Sequence, residues 1–262
     1  MKEILKKEID EFHEKGFLLI KNCISEIEIS EMMIMIKEFN SKQPSDWIKN
    51  MEMAYYETSK NQEKRILMRV ENYVDYHKTF DDVANSEKIL GVIEQIMNED
   101  FVLFKDKINF KKSGGGGFRP HQDKTSKWAQ YGTIFVNAMI TLTESKIENG
   151  CLEVAEGIHK KGLISKDESG LLTEDEIKEM KFIKIPTEPG DVIFFDAYTP
   201  HRSKSNETET QRINLYLTYN KKSEGDHRKE YFLEKRSEFP PDNERMDGIK
   251  VQNSRVHEAS YY

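Results

Sequence analysis

The spacing of hydrophobic positions changes near residue 100. Before it, they recur at the period of a helix. Ile4, Leu5, Ile9 and Phe12 fall on one helical face, and Gly16 stands where a C-terminal cap belongs. The apolar run Phe17–Ile20 reads as a short strand. Ser25-Glu26-Ile27-Glu28 has the form of a capping box, and Ile29, Met32, Met33 and Ile36 carry the stripe onward. Residues 40–63 are polar and irregular. Ser86 is placed to cap a helix carrying Ile89, Leu90, Ile93, Ile96 and Met97. The first 100 residues are therefore expected to be mostly helical.

From residue 101 the period shortens to two. Phe101–Lys111, 133–142, 151–155, Phe182–Ile185, 191–196 and 212–219 are short β-type runs divided by Gly, Pro, Asn and Asp, as in an all-β sandwich or barrel. Thr173-Glu174-Asp175-Glu176 is a second capping box, inside a polar insertion at 164–181. One short helix is expected near 228–236. Strand parity then sorts the side chains. In 104–111 one face carries Lys105, Lys107, Asn109 and Lys111, and the other Phe104, Asp106, Ile108 and Phe110. In 212–219 one face carries Arg212, Asn214, Tyr216 and Thr218, and the other Ile213, Leu215, Leu217 and Tyr219. Two readings stay open. The sheet is half-exposed with its polar face in water, or helices cover the apolar face and the polar face lines a cavity inside a two-sheet jelly roll.

Composition narrows the class. A length of 262 residues permits one large domain, and a single domain over 1–262 is expected. It divides into a mostly helical flank (1–100), a jelly-roll core (101–220) and a polar C-terminal segment (221–262). Forty Lys and Arg against 47 Asp and Glu give a formal charge of −7, so the 33% charged content is largely balanced and, with 10% aromatics, argues against disorder. No long run of one charge sign appears, which argues against a nucleic-acid partner. No repeat of 20–50 residues suggests a solenoid or propeller. Cys23 and Cys151 are too few and too separated for a disulfide framework or a zinc site. The N-terminal stretch carries acidic residues throughout and lacks an apolar core of about 7–15 residues, so it does not read as a secretory signal, and apolar runs reach only about five residues against the roughly 20 that span a bilayer. The expectation is a cytoplasmic protein with no membrane partner.

Candidate chemistry begins at His121-Gln122-Asp123. Alone the pair is weak, since 7 histidines among 47 acidic residues give about one such match by chance. A second piece changes the odds. Pro189-Gly190-Asp191 opens a buried-type strand that leads to His201 and Ser203, and Arg212 opens the next strand. Two histidines and one carboxylate make the facial triad of non-haem Fe(II) oxygenases. A cation on the adjoining strand suits the far carboxylate of 2-oxoglutarate.

At this point the sequence resembles the phytanoyl-CoA dioxygenase superfamily of Fe(II)/2-oxoglutarate-dependent oxygenases. The resemblance covers about residues 10–220. It rests on Phe12 with Gly16-Phe17-Leu18-Leu19-Ile20, on Lys107-Ile108-Asn109-Phe110-Lys111, and on Pro120-His121-Gln122-Asp123. It also rests on Glu148-Asn149-Gly150-Cys151-Leu152-Glu153 with Gly157-Ile158-His159-Lys160, and on Pro189-Gly190-Asp191 with His201 and Arg212. The resemblance implies a mainly β protein with flanking helices around a double-stranded β-helix (jelly roll) core. It implies that His121, Asp123 and His201 hold Fe(II), that Arg212 and Ser203 bind the C5 carboxylate of 2-oxoglutarate, and that Lys107 is the co-substrate lysine. O2 is the third reactant, and succinate and CO2 are released. Trp128 is the nearest match to the family's aromatic downstream of His-x-Asp. Related halogenases lack the carboxylate, so Asp123 favours hydroxylation or desaturation.

For the substrate, Lys107, Asn109, Asn137 and Arg119 suggest a basic, hydrogen-bonding cavity for a small anion or zwitterion. The chain is most similar to family members that hydroxylate organophosphonates such as 2-aminoethylphosphonate. A natural-product tailoring enzyme, an amino-acid or acyl-CoA hydroxylase, and a non-catalytic cupin-like metal binder remain as alternatives. Segments 164–181 and 40–63 are lid candidates. Tyr55-Tyr56 and Arg69-Val70-Glu71-Asn72 are further candidates for the substrate side. Gly114–Gly117 read as a flexible connection, His159 as a structural or rim residue, and His13, His77, His227 and His257 as solvent-facing.

Overall fold

A computed structural model describes residues 4–59, 65–245 and 257–258. In chain order the elements are α1 (Lys6–Lys15), β1 (Phe17–Ile20), α2 (Glu26–Ser41), β2 (Met53–Thr58), β3 (Arg65–Glu71), α3 (Lys78–Ala84) and α4 (Leu90–Met97). Then come β4 (Phe101–Lys111), β5 (Gly117–His121), β6 (Phe135–Thr141), β7 (Leu152–Ala155), α5 (Glu174–Ile177) and β8 (Phe182–Ile185). The last are β9 (Val192–Asp196), β10 (His201–Ser203), β11 (Arg212–Lys221), α6 (Arg228–Glu238) and β12 (His257–Glu258). One sheet has seven strands in the order β1-β9-β6-β11-β4-β3-β2, and the other five in the order β12-β5-β10-β7-β8. The paired strands are antiparallel. Two such sheets with helices on one outer face form a double-stranded β-helix.

Local signals explain the first elements. Gly16 caps α1 in the left-handed region at φ 84°, and a Cβ there would meet the His159 ring at 2.4 Å. This close approach gives His159 a structural place, with its Nε2 3.2 Å from the His13 carbonyl. Ser25 and Glu28 form the capping box of α2. Ser86 does not cap α4. Its hydroxyl closes the end of α3 on the Val83 carbonyl at 2.7 Å, and α4 starts four residues later.

The early chain is less helical than its pattern suggests. Met53–Thr58 and Arg65–Glu71 pair as a hairpin at the edge of the large sheet. Both faces of β2 are covered, so no polar alternation marks it. Segment 40–63 thus contributes a sheet strand rather than a separate lid over 53–58, and residues 60–64 lie outside the described residues. His77 and His227 are half-buried with partners, His77 bonding Glu52 at 2.7 Å and His227 the Glu224 carbonyl at 2.8 Å. The side chain of His257 lies outside the described residues.

The large sheet settles the parity question. Ile108, Phe110, Ile213, Leu215, Leu217 and Tyr219 pack outward with Met32, Ile36, Phe80, Ile93 and Ile96 of the helices. Each such burial is worth about 1.5–3 kcal/mol relative to exposure. The opposite face, with Lys105, Lys107, Asn109, Lys111, Arg212, Asn214 and Thr218, is buried too, so the polar row faces the interior. Parity fails at one point. A bulge where Thr218 pairs Lys105 and Tyr219 pairs Leu103 makes Phe104 the extra residue. Phe104 therefore joins Trp128, Tyr131, Phe135 and Tyr231 rather than the outer cluster.

Asp106 sits alone as a carboxylate on the apolar face of β4. It is fully buried and accepts from the backbone N–H groups of Asn72 (3.1 Å), Tyr73 (2.7 Å) and Val74 (2.9 Å). Arg228 Nη1 donates to it at 2.9 Å, and Arg228 Nε donates to Asp75 at 2.8 Å. The first turn of α6 is thereby fixed to the sheet. Removing one member of a buried charge network is costly. Asp106→Ala is expected to destabilise the protein by about 3–5 kcal/mol, read as a lower urea midpoint. A shift within about 0.5 kcal/mol, the size of an ordinary surface change, would show that this network does not hold α6.

Candidate active site

Groups far apart in sequence meet at the face of the small sheet. His121 and His201 are directly opposed across β5 and β10, with ring centroids 4.1 Å apart. The Asp123 carboxylate lies 3.9 Å from His121 Nε2 and 3.7 Å from His201 Nε2. One ligand atom from each of the three lies within 4.8 Å of the others.

Residues two apart on one strand share a face, but Asp123 does not lie on the strand of His121. β5 ends at His121, and the chain turns at Gln122, which is fully buried and satisfied on every side. Gln122 Nε2 donates to the carbonyls of Gly162 (2.8 Å) and Tyr198 (2.6 Å). Its Oε1 accepts from the N–H groups of Ile164 (2.8 Å) and Ser165 (3.1 Å). Its own N–H donates to Gly170, and that of Lys124 to Ala197. Asp123 is thus held between two pinned neighbours, and the same glutamine ties the insertion to the triad.

Both imidazoles are in the form a metal needs. Nδ1 of His121 donates to the Arg119 carbonyl at 2.7 Å, and Nδ1 of His201 to the Thr199 carbonyl at 3.0 Å. A carbonyl only accepts, so the proton sits on Nδ1 and the Nε2 lone pair faces Asp123. Burial lowers the pKa of both histidines, which keeps them neutral. Burial would raise Asp123, but Lys107, His201 and Lys105 outweigh it and hold the carboxylate ionised. Two neutral imidazoles and a carboxylate are a hard N/O donor set suited to Fe(II).

A second cluster lies along β11. Arg212 is fully buried. Its Nη1 donates to the Gly150 carbonyl at 2.7 Å, while Nε and Nη2 make no hydrogen bond among the described residues. Lys111 Nζ donates to Ser203 Oγ at 2.8 Å and to the Lys204 carbonyl. Burial pushes the Lys111 ammonium well down, and Arg212 adds to the shift. Gly150, at φ 75°, leaves the room: a Cβ there would sit 2.2 Å from the Lys204 oxygen and 3.1 Å from Lys111 Nζ. Idle nitrogens on a buried guanidinium are expensive, and a ligand carboxylate beside Arg212, Lys111 and Ser203 would satisfy them.

A cavity of about 680 Å³ opens beside His121 and Asp123. Its walls carry Tyr55, Arg69 and Glu71 from the β2–β3 hairpin, Lys105 and Lys107 from β4, and Tyr231 and Lys235 from α6. Residues 166–169 of the insertion line its mouth. Trp128 is in the wall, with Lys105 Nζ 4.6 Å over its ring. Lys107 is in the wall as well, 4.7 Å over Tyr216, but the lysine set against Ser203 is Lys111, four residues on along the same face. Asn109 and Asn137 are buried and are not wall residues. Asn109 Oδ1 has no hydrogen-bond partner among the described residues, and Asn137 accepts from Thr218 at 2.6 Å. Arg119 is outside the wall too and serves through its carbonyl on His121. Lys105 and Lys111 were visible as members of the polar face. No local pattern marked Tyr231 and Lys235 of α6.

The family model "Phytanoyl-CoA dioxygenase (PhyH)" matches residues 12–214. A 2-aminoethylphosphonate dioxygenase from uncultured bacterium HF130_AEPn_1 is 34% identical over 241 residues, covering 91% of this chain and 90% of that protein. A methylphosphonate hydroxylase from Gimesia maris is 31% identical over 234 residues, covering 88% and 86%. The crystal structure of EctD from S. alaskensis in its apo form superposes with a TM-score of 0.70 at 18% identity, covering 84% of this chain and 78% of that one.

Replacing His201 by Ala removes one of three converging ligand atoms. The variant is expected to lose stoichiometric Fe(II) binding in anaerobic calorimetry, with its melting transition still cooperative. Unaltered iron binding in the folded variant would place the metal elsewhere.

Proposed function

The chain belongs to the phytanoyl-CoA dioxygenase family and is an iron- and 2-oxoglutarate-dependent dioxygenase, and from that premise we propose that it hydroxylates a small organophosphonate. The observation that carries this reading is the cavity beside the triad, where Arg69, Lys105 and Lys107 form a basic wall. A small anion suits such a wall. An acyl-CoA chain would need a long apolar tunnel where this cavity has charge. The phosphonate relatives, matched over most of both chains, support the same substrate class.

In this reading His121, Asp123 and His201 hold the iron. Arg212, Ser203 and Lys111 bind the C5 carboxylate of 2-oxoglutarate, so Lys111 takes the part the resemblance gave to Lys107. Bound iron, with 2-oxoglutarate and O2, supplies the oxidising chemistry, coupled to release of succinate and CO2. The protein's own work is positioning and shielding. The Arg119 and Thr199 carbonyls fix the imidazoles, Gln122 fixes the turn that carries Asp123, and the rings of Phe104, Trp128 and Tyr131 limit water on one side. Retention of Asp123 favours hydroxylation over halogenation.

Two measurements test this. A charge-assisted hydrogen bond is worth about 1.5–3 kcal/mol, so Arg212→Ala is expected to raise the 2-oxoglutarate KM about 10- to 100-fold with iron binding little changed. Arg212→Lys rescues only in part, because it lacks the planar fork. An unchanged KM in Arg212→Ala would move the anchor elsewhere. Incubation with 2-aminoethylphosphonate or methylphosphonate is expected to give a product one oxygen heavier, with matching succinate. Turnover of an acyl-CoA and of no phosphonate would sink the substrate assignment and leave the oxygenase class intact.

A further inference from the structure

The cavity holds more fixed charge than a generic basic wall. Glu71 is fully buried at its floor, and three cations surround it. Arg69 Nε lies 2.8 Å from one carboxylate oxygen, Lys235 Nζ bonds the other, and Lys105 acts on it through space. These partners outweigh burial and hold Glu71 down to about 2, so it carries its charge. Set against Glu71, the three cations carry an excess of two positive charges when all are protonated; Lys105 also feels Asp123, and burial pulls Lys235 down to about 7, so a bound anion is what holds it charged.

Each cation is also seated on an aromatic face. Arg69 lies 4.6 Å over Tyr55, Lys105 4.6 Å over Trp128, and Lys235 5.7 Å over Tyr231. Tyr55 is itself fixed by its hydroxyl on the Phe239 carbonyl at 2.9 Å. Of the acids at the mouth, Glu238 and Glu168 pair with Lys127 at 3.2 and 3.7 Å, Glu234 accepts from the Tyr131 hydroxyl, and Asp167 accepts from Ser169. The cluster is separate from Arg212, Ser203 and Lys111, whose residues do not line this cavity.

We propose that Arg69, Lys105 and Lys235, offset by Glu71, form a head-group site that selects a doubly charged anion over a singly charged one. It rests on the proposed function, since it names what holds that substrate's head group. A phosphonate dianion matches the excess that these cations carry over Glu71 when protonated. A sulfonate or carboxylate of the same skeleton leaves one cation buried and unmatched, which is costly. Lys235 makes α6 a specificity element, although the helix lies outside the strands that hold the triad.

The test compares 2-aminoethylphosphonate with taurine, the sulfonate of the same skeleton, by anaerobic calorimetry on protein loaded with Fe(II) and 2-oxoglutarate. Wild type is expected to bind the phosphonate at least about 10-fold more tightly, the scale of one charge-assisted contact. Lys235→Met and Lys105→Met should each narrow that ratio about 10-fold by the same reasoning, with 2-oxoglutarate affinity unchanged. Glu71→Gln/Lys235→Met brings the set back to two charges and should restore most of the preference. This double variant and Lys105→Met keep the test decisive if Lys235→Met fails to fold. Equal affinity for the two ligands in wild type, or an unaltered ratio in the variants, overturns the inference. Turnover is scored separately. Phosphonate hydroxylation with an unaltered ratio sinks the inference alone, and tight dianion binding without hydroxylation sinks the proposed activity alone.

Discussion

The pairing of β4 with β11 puts charge on the closed side of a sheet, and the rest of the molecule answers that constraint. Lys105, Lys107, Lys111 and Arg212 all stand on the interior face, each 9% exposed or less. A cation out of water costs several kcal/mol unless a partner meets it. Asp123 and Glu71 meet part of the need, and the remainder falls to anionic ligands. Such an interior is tolerable only because the apolar requirement is met elsewhere. The helices bury the outer face of the same sheet, and Met139, Leu152, Val154, Ile193 and Phe195 form a separate apolar cluster. These four cations therefore fall into the two clusters where ligands are proposed to bind.

Much of this was legible in the sequence because it follows from short-range rules. Strands β4 and β8 have the bounds their patterns gave, and Gly16 and Ser25 cap the helices their spacing assigned. The triad was readable because each histidine sits beside its own turn or strand signal. What escaped was non-local. The hairpin β2–β3 is covered on both faces, so its sequence lacks the alternation that marks a half-exposed strand. Phe104 changed sides because a bulge in its pairing with β11 added a residue, which no single-strand pattern reveals. Lys111 and Lys107 share a face, and only the approach of β10 shows which one reaches Ser203.

Gln122 illustrates how a site can depend on a residue whose side chain is spent on backbone groups. Its side chain closes four hydrogen bonds to backbone from two loops, 162–165 and the turn before His201. These bonds satisfy loop groups that would otherwise be buried without partners. They also fix the bend that takes Asp123 off the strand and toward both histidines. The insertion at the cavity mouth and the carboxylate of the triad therefore share one anchor, and displacement of that loop would be felt at Asp123.

Register joins the two faces of β4 into one device. Lys105 and Lys107 point into the cavity, and Asp106 between them points outward, where it holds Arg228 at the start of α6. From that fixed start the helix returns Tyr231 and Lys235 to the cavity, beside Lys105. A slip of one residue would send both lysines into the apolar layer and the carboxylate into the cavity. Each misplacement would bury a charge without its partner. Three consecutive residues thus specify both the charge of the cavity and the position of the helix that completes it, and the alternation of a strand is what lets them do both.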